Sequence, residues 1–598
     1  MFHQTLIPKW IAIALATILA ATSLYAAEVT LDAPDDLRDD LVSASTLLGL
    51  DDDAATDGQS ILSSAKADYQ RLISVLYSNG YFAPVINIRL DGREAASFPP
   101  IFAPDVVNTV QITVQSGPVF TFGKTDVGPL APDTDIPVAF MTGQTADVSV
   151  LRQTAGIAVD GWRAVGHATA RVGGQQITAR HPDRKLDASI RIAPGPVLRF
   201  GTLTIEGNED VRADRIAAIA DFPAGKIYSP DQLKIVTARL RRIDAFRSVA
   251  VQEADEIGPN DTLGVNVAIT ENLPRRVGFG AEVSSLNGFS TSAFWLHRNL
   301  FGGAERLRFD AEINGIGGSN GGADYRLVGR FERPATFNAD THFYAQTSLE
   351  RMDETLFFSD SFDVEAGILR IASEERQYEL GVGYKNAQAR DDFGERSFQF
   401  ITVPLQATFD YRDDKLDATS GFYLNARLTP FAGISGNKSG MRVYGDARAY
   451  YTLGDDHPVT LAGRFQIGSL IGPDVDEAFP DMLFYSGGSG TVRGHAFQSL
   501  GVTLPSGEDV GGTSFIGLST EARVKITNTL GVVGFFDAGY IGDSDVGISD
   551  FGRVQTGAGL GVRYDTGIGP IRLDMALPVS GPNDASGIEV YIGIGQAF

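Results

Sequence analysis

Arg306-Leu307-Arg308-Phe309-Asp310-Ala311-Glu312-Ile313-Asn314 alternates polar and apolar side chains without a break. A two-residue period is the mark of a strand whose two faces meet different surroundings. The pattern returns in Phe422-Tyr423-Leu424-Asn425-Ala426-Arg427-Leu428-Thr429, and glycine-rich turns punctuate the chain from about Arg275 to its end. A soluble sandwich buries the apolar face against a second sheet, whereas a transmembrane barrel turns it to lipid and the polar face to a wet lumen. Alternation alone fits both.

Three other features favour the barrel. Lys9, the apolar run Ile11 to Ala21 and Ser23-Leu24-Tyr25-Ala26-Ala27 have the order of a secretory signal peptide, expected over residues 1–26. The segment from Arg275 on is rich in glycine and aromatics, and the last stretch sets Val590, Ile592, Ile594 and Phe598 on one face. At about 10 residues per strand plus connections, residues 273–598 hold about 16 strands. With 50 Lys+Arg against 74 Asp+Glu, a net charge of −24 argues against nucleic acid, whose phosphates need a basic face. Cysteine is absent, which excludes disulfides, thiolate metal sites and a cysteine nucleophile.

Between signal and barrel the chain repeats itself. Gly117-Pro118-Val119-Phe120-Thr121-Phe122-Gly123 returns 78 residues later as Gly195-Pro196-Val197-Leu198-Arg199-Phe200-Gly201. Asn79-Gly80-Tyr81-Phe82, Val165-Gly166-His167 and Asp244-Ala245-Phe246 each end a helix-like stretch before a β-rich one, so three units fit, at 27–116, 117–194 and 195–272. In the last, Ser229-Pro230-Asp231-Gln232 opens a helix as a capping box, and Leu233, Val236, Leu240 and Ile243 share one face of it. Asp53 with Asp57-Gly58 has a calcium-loop flavour, but Ala55 stands where an oxygen ligand is needed, so a solvated acidic loop is expected. The order strand, helix, helix, strand, strand resembles polypeptide-transport-associated (POTRA) domains, whose open sheet edges can accept an extended peptide.

Gly487-Gly488-Ser489-Gly490-Thr491-Val492-Arg493-Gly494-His495 places an arginine between barrel strands, and that charge needs a partner. Glu521 in Ser519-Thr520-Glu521-Ala522-Arg523 and Asp537 in Phe535-Phe536-Asp537-Ala538-Gly539 are carboxylates inside strand-like stretches. Together these residues resemble the lumen loop of the BamA-like bacterial outer-membrane assembly-factor superfamily. The family's aromatic after the loop glycine is His495 here. His297-Arg298-Asn299-Leu300-Phe301-Gly302-Gly303, the hairpin Asp410-Tyr411-Arg412-Asp413 to Gly421, and Gly559-x-Gly561-x-Arg563-Tyr564 with Gly569-Pro570-Ile571-Arg572-x-Asp574 are similar to the family's hairpins and late strands. A chain ending on Phe598 looks like an outer-membrane insertion signal, although Gln596 interrupts its apolar face. Three repeats resemble the TamA branch, the outer-membrane subunit of the translocation and assembly module, more than BamA with five or two-partner secretion exporters with two.

The resemblance implies α+β repeats followed by an all-β domain: three periplasmic POTRA domains and a transmembrane barrel in the outer membrane of a Gram-negative bacterium. It also implies a TamB-like inner-membrane-anchored partner touching the first repeat, outer-membrane or secreted client proteins, and contact with outer-membrane lipid. Gly278 and Gly280 near the barrel's start, and Gly593 and Gly595 near its end, mark a weak seam, because glycine packs nothing and costs backbone entropy. Arg493, with Val492, Gly494 and His495 around it and Asp537 or Glu521 as partner, reads first as a brace of the wall and second as a moving part of that seam. Gly-x-Ser-x-Gly, His-Glu-x-x-His and Walker motifs are missing, Asn320 spoils a glycine spacing begun by Gly315 and Gly317, and seven histidines are scattered. The reading is therefore non-enzymatic, without cofactor or nucleotide, and its alternatives are a two-partner secretion type exporter and a passive outer-membrane channel with docking spacers.

Overall fold

The computed structural model describes residues 27–49, 57–99, 103–284, 288–318, 321–454, 458–505, 507–527, 529–545, 547, 552–567, 570–581, 587–594 and 596. The expected signal peptide, Gly595 and Phe598 lie outside them. Two compact units emerge: one runs to Gly201 and includes Gly225–Gln232 and Ile257–Leu263, and the other holds Thr202–Ala224, Leu233–Glu256 and Gly264–Phe598.

In the first unit a four-stranded sheet runs in the order Glu28–Asp32, Thr109–Gln115, Val85–Leu90, Arg93–Glu94. Helices Arg38–Ala44 and Gly58–Ser78 cover it and bury Leu41, Leu72 and Leu76 against Ile88 and Ile112. Asp57, weighed above as a calcium ligand, caps the second helix by accepting the amide N–H groups of Gln59 and Ser60. A second sheet orders Thr121–Gly128, Lys185–Ala193 and Arg171–Arg180 beside helix Val148–Ala164. Where a preceding helix was expected there is only the 3-10 turn Val138–Phe140, because Pro129, Pro132 and Pro137 deny that stretch the amides a helix requires.

A third sheet orders Arg199–Glu206, Thr262–Glu271 and Phe246–Gly258, accompanied by helices Ala213–Ala220 and Pro230–Arg241. On the latter helix and just past it, Val236, Leu240 and Ile243 are buried, while Leu233 is half-buried. Three α/β domains thus precede the barrel, each built on its own small sheet.

From Arg275 the chain closes into an antiparallel barrel of sixteen strands, beginning with Arg275–Ser284 and ending with Glu589–Ile594. Gly394–Thr402 and Leu405–Asp410 both pair with Arg376–Asp391 and Gly421–Gly433, so they are halves of one strand. The break falls at Val403-Pro404, where proline has no N–H to give the ladder. Closure satisfies the backbone without water, which a lipid-facing sheet requires. The outward face is apolar and open, with Phe279 84% and Leu560 72% exposed. Inward, opposite charges meet along and across strands, as in Arg308 with Asp310, Arg330 with Glu332 and Glu379, and Asp446 with Arg448 and Arg464.

Within the second unit the third repeat's helices rest on two turns between strands. The Arg212 guanidinium donates to the Phe301 carbonyl at 2.7 Å, and Arg215 donates to the Pro334 carbonyl at 2.6 Å. Arg239 forks onto Asp340 at 3.0 and 2.8 Å, and Arg242 adds a contact at 3.0 Å. The Arg239 hydrogen bond holds the Asp340 carboxyl at about 2, below its ordinary 3.8, with Arg242 assisting against the cost of burial. A depressed carboxylate stabilises the fold above its unfolded value and loses that contribution as pH falls toward 2. Asp340→Asn should therefore weaken helix Pro230–Arg241 by about 1 kcal/mol, a magnitude discounted for solvent screening. Hydrogen exchange at neutral pH, corrected for intrinsic rates, checks this: exchange in that helix should quicken in the variant, and acidification should speed it in the wild type only.

Candidate functional site

The connection between strands Val459–Ile471 and Ser514–Lys525 is long and folds into the barrel. Its Phe479, Met482, Leu483, Phe484, Leu500 and Val502 pack on the inward-facing Phe398, Phe400, Phe431 and Phe515 of the wall. Burying such side chains supplies about 1.5 to 3 kcal/mol each, which offsets the entropy of ordering the loop. The segment Gly487–His495 is carried inward on this apolar base. Gly494 sits at φ +92°, and a Cβ there would lie 2.7 Å from the Leu577 carbonyl carbon, so only glycine passes this point.

Arg493 is 2% exposed. Its Nε and Nη2 fork onto the two Asp537 oxygens at 2.7 and 3.0 Å, and its backbone N–H reaches the same carboxylate at 3.2 Å. Nη1 donates to Glu521 at 2.7 Å and to Asp574 at 3.5 Å, while the guanidinium carbon lies 3.6 Å from the centre of the Phe535 ring. Glu521 also accepts from Arg523 at 2.9 Å, and Asp574 from Arg563. Three buried guanidinium groups thus face three buried carboxylates. The cluster is charge-balanced, and forked Arg–carboxylate pairing is strong and directional.

The neighbouring loop residues have structural partners. Val492 is fully buried, packed over Gly539. His495 Nε2 lies 3.0 Å from the Thr556 carbonyl, which only accepts, so this nitrogen carries the proton. The Gly494 amide donates to the Tyr591 hydroxyl at 3.2 Å, and that hydroxyl donates to Glu589. The loop is thereby tied to the last strand. Asp537 and Glu521 both hold Arg493, so the choice left open between them resolves into a shared site. Asp574, Phe535 and Tyr591 were not singled out as its members, although Asp574 satisfies the same criterion of a carboxylate within an alternating strand.

At the seam the first and last strands pair only at Val283 with Ile592 and Ser284 with Tyr591 among the described residues. By contrast, the first strand pairs with the second at ten positions and the last with its predecessor at six. Among the described residues one ion pair spans the seam, from Arg572 of the strand before the last to Glu282 at 3.5 Å. The Phe294 ring covers the lumen side of Gly278, where a Cβ would sit 2.3 Å away, and Ser292 lies beside Gly280. Gly593 lies against Arg572. Val590 is half-buried and Ile592 faces outward, while the strand ends at Ile594. Gln596, past that end, leaves the expected apolar face: it accepts from Arg563 at 2.8 Å and donates to Asp417 at 2.9 Å.

The sequence profile of the Omp85 superfamily domain matches residues 299–598. The chain belongs to the Omp85 superfamily. It is 22% identical over 501 residues to the outer membrane protein assembly factor BamA of Nitratidesulfovibrio vulgaris (strain Hildenborough), an alignment covering 79% of this chain and 61% of that protein. The chain therefore spans about three-fifths of that relative. BamA from Haemophilus ducreyi lacking POTRA domains 1-3 has a similar fold, with a TM-score of 0.61, 15% identity, and coverage of 80% of this chain and 100% of that one. CdiB from Acinetobacter baumannii gives a TM-score of 0.50, 12% identity, and coverage of 81% and 91%. As an Omp85 protein with a closed barrel of sixteen strands, the chain resides in the outer membrane, its N-terminal α/β domains in the periplasm.

Removing one partner of a buried, hydrogen-bonded charge pair costs about 3 to 5 kcal/mol, because the other charge is stranded. Arg493→Ala should lower the temperature at which the folded barrel converts to the unfolded mobility in gel electrophoresis. Asp537→Ala should do likewise, and the double variant should be less damaged than the sum, a coupling that a double-mutant cycle measures.

Proposed function

We propose that this Omp85 protein assembles or secretes client polypeptides at the outer membrane by opening its barrel between the first and last strands. The observation that carries the reading is the two-position pairing at that seam among the described residues, against ten positions on the first strand's other side. Opening sacrifices few backbone hydrogen bonds, each worth about 1 kcal/mol net in water and more in lipid. The exposed edges then offer unpaired N–H and C=O groups to a client strand, the same geometry by which a peptide adds to any open sheet. Strand pairing and lipid burial of the client supply the driving force, so neither nucleotide hydrolysis nor an enzymatic step enters. A seam this short also favours local thinning of the bilayer, which lowers the barrier to insertion.

Arg493 has a fixed role in this scheme. It holds the strands carrying Asp537, Glu521 and Asp574 to the inner loop, so that opening is confined to the seam. Three α/β domains support the TamA-like branch, with a TamB-like partner on the first domain and autotransporter-like clients. A passive channel is disfavoured by the apolar loop core packed inside the wall.

The chain has no native cysteine, so Val283→Cys with Ile592→Cys places a single pair across the seam. In liposomes, oxidation should suppress client assembly at least about tenfold, and reduction should restore it. Undiminished assembly under oxidation would refute the gate. Large, steady single-channel current from the reduced protein without client would instead identify a pore.

A further inference from the structure

A cavity of about 610 Å³ opens in the barrel beneath the end of the third repeat's helix, lined by six arginines and only three carboxylates. In a chain of net charge −24 this local excess of cations stands out. The carboxylates are shared: Asp244 lies 3.2 Å from Arg298 and 3.9 Å from Arg306, and Glu332 serves both Arg306 at 3.3 Å and Arg330 at 2.7 Å. Arg276 has no ion pair among the described residues; its guanidinium stands over the Phe294 ring at 5.6 Å. Three buried polar atoms of the lining, His342 Nε2, Arg242 Nε and Arg298 Nε, have no hydrogen-bond partner among the described residues, and His342 is 9% exposed. A buried polar group left without a partner costs about 1 to 3 kcal/mol. With Arg242 on Asp340 and Arg308 on Asp310 just outside the lining, Arg276 is the one of the six arginines that has no carboxylate among the described residues.

We propose that the cavity is a receptor for an acidic segment of polypeptide, with a carboxylate seated at Arg276 and its neighbours. The lining already recognises carboxylates, since every ion pair in it is arginine with aspartate or glutamate. Phe294, Leu296, Leu369 and Ile371 supply an apolar wall beside the cations. A peptide brings both a carboxylate and apolar neighbours, whereas a phosphate group leaves that wall unused. The assembly reading bears on this inference only in saying why a polypeptide reaches the cavity. Binding weakens with salt, because the attraction is partly screened.

The test uses the full chain in detergent micelles and a fluorescent peptide of about ten alternating glutamates and leucines, with a lysine-leucine counterpart, read by anisotropy. The acidic peptide should bind saturably and the basic one should not. Arg276→Glu should weaken binding at least about tenfold while heat-modifiable mobility stays unchanged, and Arg276→Lys should retain most of it. Equal binding of the two peptides, or unaltered affinity in Arg276→Glu, overturns the proposal. Displacement of the peptide by submillimolar inorganic phosphate overturns it too, in favour of a phosphate site. Client assembly by the same preparation is scored separately: a wild type that binds acidic peptide but assembles no client retains the receptor and loses the assembly reading.

Discussion

A guanidinium taken out of bulk water must be surrounded by matching negative charge, and Arg493 imposes that demand at the centre of the barrel. Its neighbours answer from separate strands: Asp537 with a fork, Glu521 and Asp574 from either side, Phe535 with the face of its ring. Each carboxylate would be costly alone, and each arginine likewise. Assembled, they form a neutral knot in which no member can leave without stranding another. The loop bearing Arg493 is thereby fixed to the wall at its polar tip, as it is fixed by Phe479, Met482 and Phe484 at its apolar base.

Rigidity is therefore unevenly distributed around the cylinder. The strands from Ser514 to Ser580 are joined by long ladders and pinned by the arginine knot. Among the described residues, the closure between first and last strands has two paired positions and a single ion pair. Such an arrangement concentrates any yielding of the wall at one place and leaves the remainder stiff. The third repeat is held on the turns beneath by Arg212, Arg215, Arg239 and Arg242, so its helices and the barrel behave as one compact unit.

Much of this was legible in the residues because the membrane enforces simple rules. A strand between lipid and water must alternate, so Arg306 to Asn314 announces its own geometry, and an arginine among such strands announces a carboxylate partner. What escaped the sequence depends on contacts between distant segments. The helix missing from the second repeat had a local signal, in its prolines, but the capture of Asp574 by Arg493 and of Tyr591 by the Gly494 amide joins residues 81 and 97 positions apart. Gly278 illustrates the limit well. Read alone it is a weak spot, yet Phe294 from the next strand covers it, a cross-strand relation that no period within one strand encodes. The arginine-lined cavity was likewise invisible, since its walls come from seven strands and a helix end.

The bond from the Gly494 amide to the Tyr591 hydroxyl also bears on the order in which the protein itself matures. Tyr591 belongs to the strand that closes the barrel, and its ring is almost wholly enclosed. Contacts spanning so much chain form late, because the entropy of bringing remote segments together precedes any reward. A contact of this span couples the seating of the inner loop to the closing of the wall, so both belong to the late part of folding.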